Sequence, residues 1–410
     1  MKKIVSLALS AVMATGLVAG LAACNEKTYK IGMICLHGSA STYDANFINA
    51  MKEACENKGM SDDLTIVTDI PEETKCYDTA KDLVDQGCEL IFADSFGHEA
   101  FIAQAAEEFP NVEFCHATGT TAQTAGLDNF HNAFASIYEG RYLAGVAGGM
   151  KLLEMYQDNE LEDSNFTDAT KKTIKIGYVG AWPYAEVKSG YTSWFLGVQS
   201  VFEEADLGVN VAMEVQFTNS WYDETAEKSA AQNLISRGAA LISQHADSMG
   251  APSACETAGV PNVSYNGSTA TACPNTYIVS SRINWVPYFE YIIDCVFNDG
   301  GEIDTDWCGG LENGSVVLTD LGTNAAEGTA EKLATVKASL IDGSLKVFDT
   351  SKFTKDGVNL TSYTTSYGFE GECIVTENGK TYFAESSRRS APYFDIDIDG
   401  ITILTDATQE

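Results

Sequence analysis

Positive charge is scarce in this chain. Of its 410 residues, 25 are Lys or Arg against 58 Asp or Glu, for a formal net charge of −33. Binding to a phosphate backbone depends on Lys and Arg neutralising charge, so this balance excludes nucleic acid as a partner. An anionic membrane surface would repel the chain as well, and no basic patch can serve as its membrane contact. No C-x-x-C pair occurs among the Cys residues, which argues against a zinc ribbon or a thioredoxin-type site. His98 and His245 have no partner at metal-ligand spacing and read as satisfied structural histidines, so no metal is expected. Ser95 and Ser248 lie in no Gly-x-Ser-x-Gly elbow, and no Gly-rich phosphate cradle is present. Asp223 and Glu224, adjacent at a helix start, point apart and make no glycosidase pair. The sequence shows no enzyme and implies no cofactor.

What is present begins at the N-terminus. Met1-Lys2-Lys3 is a basic start, residues 4–20 are uncharged and apolar or small, and Leu21-Ala22-Ala23-Cys24 follows. This is the layout of a secretory signal, too short and too quickly followed by polar Asn25-Glu26-Lys27 to span a membrane. The Cys at its end resembles a bacterial lipobox, in which the Cys24 thiol is lipidated and becomes the new N-terminus. An ordinary signal peptide that ends near a Cys is the alternative. Residues 1–23 are thus expected to leave, 24–28 to act as a tether, and 387 residues (24 to 410) to work outside the membrane with a net charge of −35. Besides Cys24, ten Cys remain, at 35, 55, 76, 88, 115, 255, 273, 295, 308 and 373. An exported protein permits disulfides. Several of these Cys nevertheless sit inside apolar runs, where a thiol acts as a small buried hydrophobe, and mostly free thiols are expected.

Apolar strand-like runs alternate with helical stretches along the chain. Strands are expected at 29–36, 64–68, 90–93 and 112–116, and helices at 45–58, 76–86, 99–109 and 138–153. A polar, acidic interval at 157–172 interrupts the pattern. A second series follows, with strands at 174–179, 211–217, 239–244, 260–265 and 276–283 and helices at 186–205, 223–237, 251–258 and 287–297. The rhythm predicts an α/β architecture of two doubly wound parallel-sheet lobes. The stretch from 346 onward reads as irregular or β structure, with Ile396, Ile398, Ile401 and Ile403 marking a closing strand or hairpin around Asp399-Gly400.

Open α/β sheets bind ligands beyond the carboxyl ends of their strands, so the loops that follow strands are the candidate site. These loops carry Tyr43, Asp44, Asn46 and Phe47; Asp94, Ser95 and Phe96; Trp182; Trp221; Asp247; Asn266; and Trp285. Aromatic residues thus recur beside a carboxylate or amide in both halves. A flat apolar face with directional hydrogen bonds suits a planar, polar, uncharged ligand such as a nucleobase, or a sugar ring. Against this, a Trp at a strand end can be a hinge or core plug, and Asp94 and Asp247 can cap helices.

Seven of these segments together resemble the basic membrane protein (BMP) group of substrate-binding lipoproteins of ABC importers. They are Tyr43-Asp44-Ala45-Asn46-Phe47, Ile91-Phe92-Ala93-Asp94-Ser95-Phe96-Gly97-His98, Glu139-Gly140-Arg141-Tyr142-Leu143-Ala144-Gly145-Val146-Ala147-Gly148 and Ile176-Gly177-Tyr178-Val179. The others are Asn219-Ser220-Trp221-Tyr222-Asp223, Gln244-His245-Ala246-Asp247-Ser248 and Asn284-Trp285-Val286-Pro287-Tyr288. The resemblance covers roughly residues 29–357. It implies a type I periplasmic-binding fold with two lobes joined by three hinge crossovers and a ligand in the cleft. The N-terminal lobe would comprise 29–150 plus about 284–320, and the C-terminal lobe 172–283 plus about 321–358. Residues 359–410 are a C-terminal extension outside the pattern.

The resemblance also implies an extracytoplasmic, lipid-anchored monomer that captures a purine nucleoside or nucleobase and delivers it to a membrane permease. By it, Tyr43, Phe47 and Trp221 would stack on the ligand, and Asp44, Asn46, Asp94 and Asp247 would hydrogen-bond it. Asn266 and Trp285 would be second-lobe or hinge contacts. A basic residue reaches the ribose in the nucleoside-binding branch, and none stands near Asn266 in sequence, so nucleoside and free base both stay open. A sugar-binding or sensory protein of the same fold is the alternative, and a secreted hydrolase has less support.

Overall fold

The computed structural model describes residues 29–365 and 371–404. The expected signal, tether and lipidation at Cys24 fall outside the described residues. The first half runs β1 (Ile31–Ile34), α1 (Thr42–Asn57), β2 (Leu64–Val67), α2 (Thr74–Asp85), β3 (Leu90–Ala93), α3 (Glu99–Glu108), β4 (Glu113–Ala117), α4 (Ala122–Ala125), β5 (Phe130–Ala135) and α5 (Ile137–Gln157). The second runs β6 (Thr173–Gly180), α6 (Ala185–Ala205), β7 (Asn210–Phe217), α7 (Glu224–Ser236), β8 (Ile242–Gln244), α8 (Gly250–Ala258), β9 (Asn262–Tyr265) and β10 (Tyr277–Ile283). It continues with α9 (Val286–Ile293), β11 (Asp306–Gly309), β12 (Val316–Leu318), α10 (Thr329–Ile341), β13 (Ile374–Glu377), β14 (Lys380–Phe383) and β15 (Ile401–Ile403).

β1 (Ile-Gly-Met-Ile) and β3 (Leu-Ile-Phe-Ala) are buried along their whole length, because a central parallel strand is covered by helices on both faces. The first sheet has the order β11-β5-β4-β3-β1-β2, and the second β12-β10-β9-β8-β6-β7-β15. Every pairing in the two is parallel except β10 with β12. Strand order reverses beside β1 in one lobe and beside β6 in the other. The chain crosses between lobes at Ser136, at Asn284-Trp285 and at 310–315, and these crossings bond to one another through Ser136 N to Gly309 O (2.8 Å) and Asn284 N to Ser315 O (2.7 Å). This is the type I periplasmic-binding fold.

Several elements depart from the expectation. β5, β11, β12, α10 and the β13–β14 hairpin carry no clear signal in the sequence. β5 reads Phe-His-Asn-Ala-Phe-Ala, and its buried His131 and Asn132 break the apolar run that marks a central strand. Of the closing strand or hairpin expected around Asp399-Gly400, the strand forms: Ile396 and Ile398 are buried in irregular chain, and 401–403 pairs in parallel with β7. Residue 150, the expected end of the first lobe, falls inside α5. That helix is buried on most sides and packs on the second lobe. A Cβ at Gly145 would lie 2.2 Å from Trp194 O and one at Gly197 2.2 Å from Tyr142 O, so α5 and α6 touch through backbone.

Candidate functional site

The loops after β1, β3, β6 and β8 meet between the lobes, where strand order reverses, around about 390 Å³ of space that is partly open to solvent. The first lobe contributes Leu36, His37, Tyr43, Asp44, Ser95, Phe96 and Thr118 to its wall, and the second Glu186, Trp221, His245, Asp247 and Tyr265. The rings of His37 and Tyr222 approach across the cleft at 5.6 Å, as do those of Phe96 and Tyr184, and Thr42 N donates to Asp247 O at 3.1 Å. The lobes therefore stand closed on one another.

Helix α1 places the first-lobe groups. Ser41 caps it by accepting from Asp44 N at 3.2 Å, which orders the turn bearing Tyr43 and Asp44. Burial works to raise the Asp44 pKa, but hydrogen bonds from the His37 ring, Ser41 and the His37 amide outweigh it and hold the carboxyl below its ordinary range. His37 N donates to Asp44 Oδ1 at 2.7 Å, and the separate contact of the His37 ring with the Asp44 carboxylate raises the His37 pKa. Asp94 and Asp247 are driven the other way, well above the ordinary range, first by burial and then by the nearby charge of Asp44. The cleft thus presents an ionised carboxylate at Asp44 and a carboxyl that favours its proton at Asp247. One accepts hydrogen bonds and the other can donate one.

In the second lobe a buried chain of groups stands behind the wall. Arg141 of α5 donates from Nη1 to Gln244 O (3.0 Å) and from Nη2 to His245 Nδ1 (2.9 Å). That bond leaves the His245 proton on Nε2, which lies 3.4 Å from Glu186 Oε1. Burial and the Arg141 charge push the His245 pKa down to about 4, so the ring is neutral. The Tyr265 hydroxyl, in the cavity wall, is buried and has no partner among the described residues. Thr118 adopts φ +66°, a left-handed conformation that a β-branched residue rarely takes, and such strain concentrates at functional sites.

Of the residues expected at the site, Tyr43, Asp44, Ser95, Phe96, Trp221 and Asp247 line the cavity. Asp94 sits behind its floor, accepting from Leu36 N at 3.1 Å, while Tyr43 donates to Asp94 O at 2.7 Å. The others lie elsewhere. Phe47 and Trp285 stack on each other at 4.5 Å inside the core, 0% and 1% exposed, where they plug the base of the first lobe. Trp182 stacks on Tyr184 outside the cavity. Asn46 donates to Ile283 O (2.8 Å), and Asn266 donates to Asp247 Oδ1 (3.3 Å). Both Asn face a separate groove beside α1, which also holds Arg282, a basic residue 3.2 Å from Asn46 that spacing along the chain does not disclose. His37, Glu186 and His245 belong to strand-end loops the sequence points to, and Thr118 and Tyr265 follow from the same rule at the ends of β4 and β9.

Cys35, Asp44 and Asp94 bring three potential donor atoms within 4.8 Å of one another. Burial and then Asp94 raise the Cys35 thiol well above its ordinary pKa, and both carboxyls already accept backbone hydrogen bonds, so the group is a poor metal ligand set. No Ser-His or Cys-His pair among the described residues lines the cavity in nucleophilic geometry. Among the described residues, no helix is long and apolar enough to cross a membrane.

Known proteins place this architecture. The family described as Bmp, ABC transporter substrate-binding protein PnrA-like, matches residues 31–156 and 166–351. A purine-binding protein of Brucella abortus is 29% identical over 351 residues, covering 83% of this chain and 91% of that protein. A putative ABC transporter glucose-binding protein of Haloferax volcanii is 29% identical over 265 residues, covering 65% of this chain and only 60% of its own length. Among solved structures, an ABC transporter solute-binding protein of Aeropyrum pernix superposes with a TM-score of 0.63 at 15% identity, covering 81% of this chain and 94% of that one, and so shares the fold. The chain belongs to the Bmp family of PnrA-like ABC transporter substrate-binding proteins.

Proposed function

We propose that this protein captures a purine, as free base or nucleoside, between its two lobes and delivers it to the permease of an ABC importer. The observation that carries the reading is the cavity wall itself. Tyr43, Phe96 and Trp221 supply aromatic faces, and Asp44 and Asp247 supply carboxyl groups from opposite lobes. A purine edge alternates ring nitrogens that accept with N–H groups that donate, and two carboxyls, one held below and one above the ordinary carboxylate range, suit that alternation. No Lys or Arg lines this cavity, which disfavours phosphorylated ligands. Because the wall comes from both lobes, a ligand touching it stabilises the closed form, the form a permease would recognise. The protein acts as a receptor and not as an enzyme, held outside the membrane by lipid on Cys24.

Calorimetry against adenine, guanine, hypoxanthine and their nucleosides, with D-glucose alongside, tests the reading. At least one purine is expected to bind with a Kd of about 1 μM or below, near −8 kcal/mol. Silence from every purine at high micromolar concentration would overturn it. Binding of glucose alone would favour the sugar reading, which the name of the Haloferax relative supports. A Cys24→Ser protein should be released from cells and still bind; retention at the membrane would count against the lipid anchor.

A further inference from the structure

The family match ends at residue 351, but the chain runs on and returns to the cleft. Ser390 docks on the first lobe: its amide donates to Asp306 Oδ2 (2.9 Å), its hydroxyl to Asp306 Oδ1 (2.5 Å), and Asn132 Nδ2 donates to Ser390 Oγ (3.0 Å). A few residues later the same segment fastens to the second lobe. Lys188 Nζ pairs with Asp397 Oδ1 at 2.6 Å, Met213 N donates to Gly400 O at 2.8 Å, and β15 extends the second sheet. Between these anchors Tyr393, Phe394, Ile396 and Ile398 are buried, so the segment is packed structure.

Where it passes between the lobes, Arg389, Ala391 and Pro392 wall a second cavity of about 580 Å³, part of it open to solvent. Its remaining wall includes Phe96, Thr118 and Glu186, which also line the first cavity, so the two compartments share a boundary. The Arg389 guanidinium folds back on its own segment, donating from Nε to Ala391 O and from Nη2 to Pro392 O, each at 3.1 Å. It thereby holds the shape of the wall. Thr118, Thr120 and Glu186 give this compartment hydroxyl and carboxyl groups beside the strap.

We propose that residues 385–404 form a strap that determines specificity: fastened to both lobes, its 389–392 stretch bounds a second compartment that receives the hydroxyl-bearing part of a ligand projecting beyond its planar ring. The inference rests on the purine reading above, and it concerns a segment the family match does not include. Ala391 lines this compartment and not the first, so a longer side chain there adds bulk to the second wall alone.

The test compares wild type with Ala391→Leu by calorimetry on three base and nucleoside pairs: adenine and adenosine, guanine and guanosine, hypoxanthine and inosine. The variant should lose about tenfold or more in nucleoside affinity, the equivalent of about 1.4 kcal/mol, while the base stays within about twofold. If the Ala391→Leu protein does not fold, Ala391→Val makes the same measurement with a smaller insertion. An unchanged nucleoside-to-base ratio, in a variant that unfolds at the wild-type temperature, would overturn the strap and leave the purine reading standing. A wild type that binds bases alone would do the same. A wild type that binds no purine would bring down both.

Discussion

The guanidinium carbon of Arg141 lies 3.3 Å from the centroid of the Tyr265 ring, and the same side chain donates to His245. One buried cation on α5 thereby orients two members of the cavity wall. Replacing Arg141 with Gln removes the stacking, the Gln244 contact and the charge. Stability should fall by about 2–3 kcal/mol, the range for a charged donor lost from a buried network. The His245 pKa should rise from about 4, because the Arg141 charge helps to hold it down. An NMR titration of His245 that stays put would show that burial alone sets it.

Trp221 and Phe47 are both aromatic residues from the loops the sequence singles out, and their substitution should have opposite signatures. Trp221→Ala takes a face from the cavity, and purine affinity should drop by about 1–3 kcal/mol with little change in stability. Phe47→Ala opens the core beneath Trp285 and should cost about 3–5 kcal/mol of stability. Purine affinity at a temperature where Phe47→Ala stays folded should match wild type. Equal affinity losses in the two variants would mean that Phe47 reaches the ligand.

Gly145→Ala probes the seam between α5 and α6. The added methyl would meet Trp194 O at 2.2 Å, backbone against backbone, and no side-chain rotation relieves it. The helices must separate, at a cost of about 1–3 kcal/mol or more. A thermal melt unchanged from wild type would show the seam to be loose.

Buried titratable groups set opposing limits on stability. Burial raises Glu227 and Glu139 to about 7 and Glu385 to about 8, so each stays protonated in the fold while the unfolded chain ionises near its ordinary value. Their contribution is full at low pH and is lost as pH rises towards 7 and 8. His98 and His245 are held down to about 4, and their contribution is lost as pH falls from the ordinary value of 6.5 towards 4. Three raised acids outnumber two lowered histidines over the pH range they share, so stability is expected to fall as pH rises from about 5 to 8. Melting temperatures across pH 4 to 9 check this, and Glu385→Gln should flatten the alkaline decline. A plateau through pH 8 in wild type would sink the argument.

The ten described cysteines are all free, and Cys308 alone among them is exposed. Thiol titration without reductant should find one slowly reacting group in the native protein, slow because burial of its sulfur raises the Cys308 pKa to about 11. All ten should react in denaturant. Fewer than ten would reveal a disulfide.

The alternation of apolar runs and helical stretches, the doubling of that rhythm and the acidity of the chain were determined by the amino-acid sequence alone. A buried parallel strand must be apolar on both faces, so β1, β3 and β6 announce themselves. The strand-end rule picked out Tyr43, Asp44, Ser95, Phe96, Trp221 and Asp247, which the fold gathers around one cavity. Depth was another matter. Tyr43 and Phe47 stand four apart on the same face of α1, and periodicity cannot say that one lines a cavity while the other is sealed under Trp285. Polar residues hid β5, because His131 and Asn132 have partners, Glu113 and Asp306, that only folding brings near. Arg141 and His245 are 104 residues apart, and the strap meets Asp306 across 84. Such pairings carry no local signature. They exist because burying a charge or a polar group demands a partner, and the tertiary structure decides which residue is there to meet it.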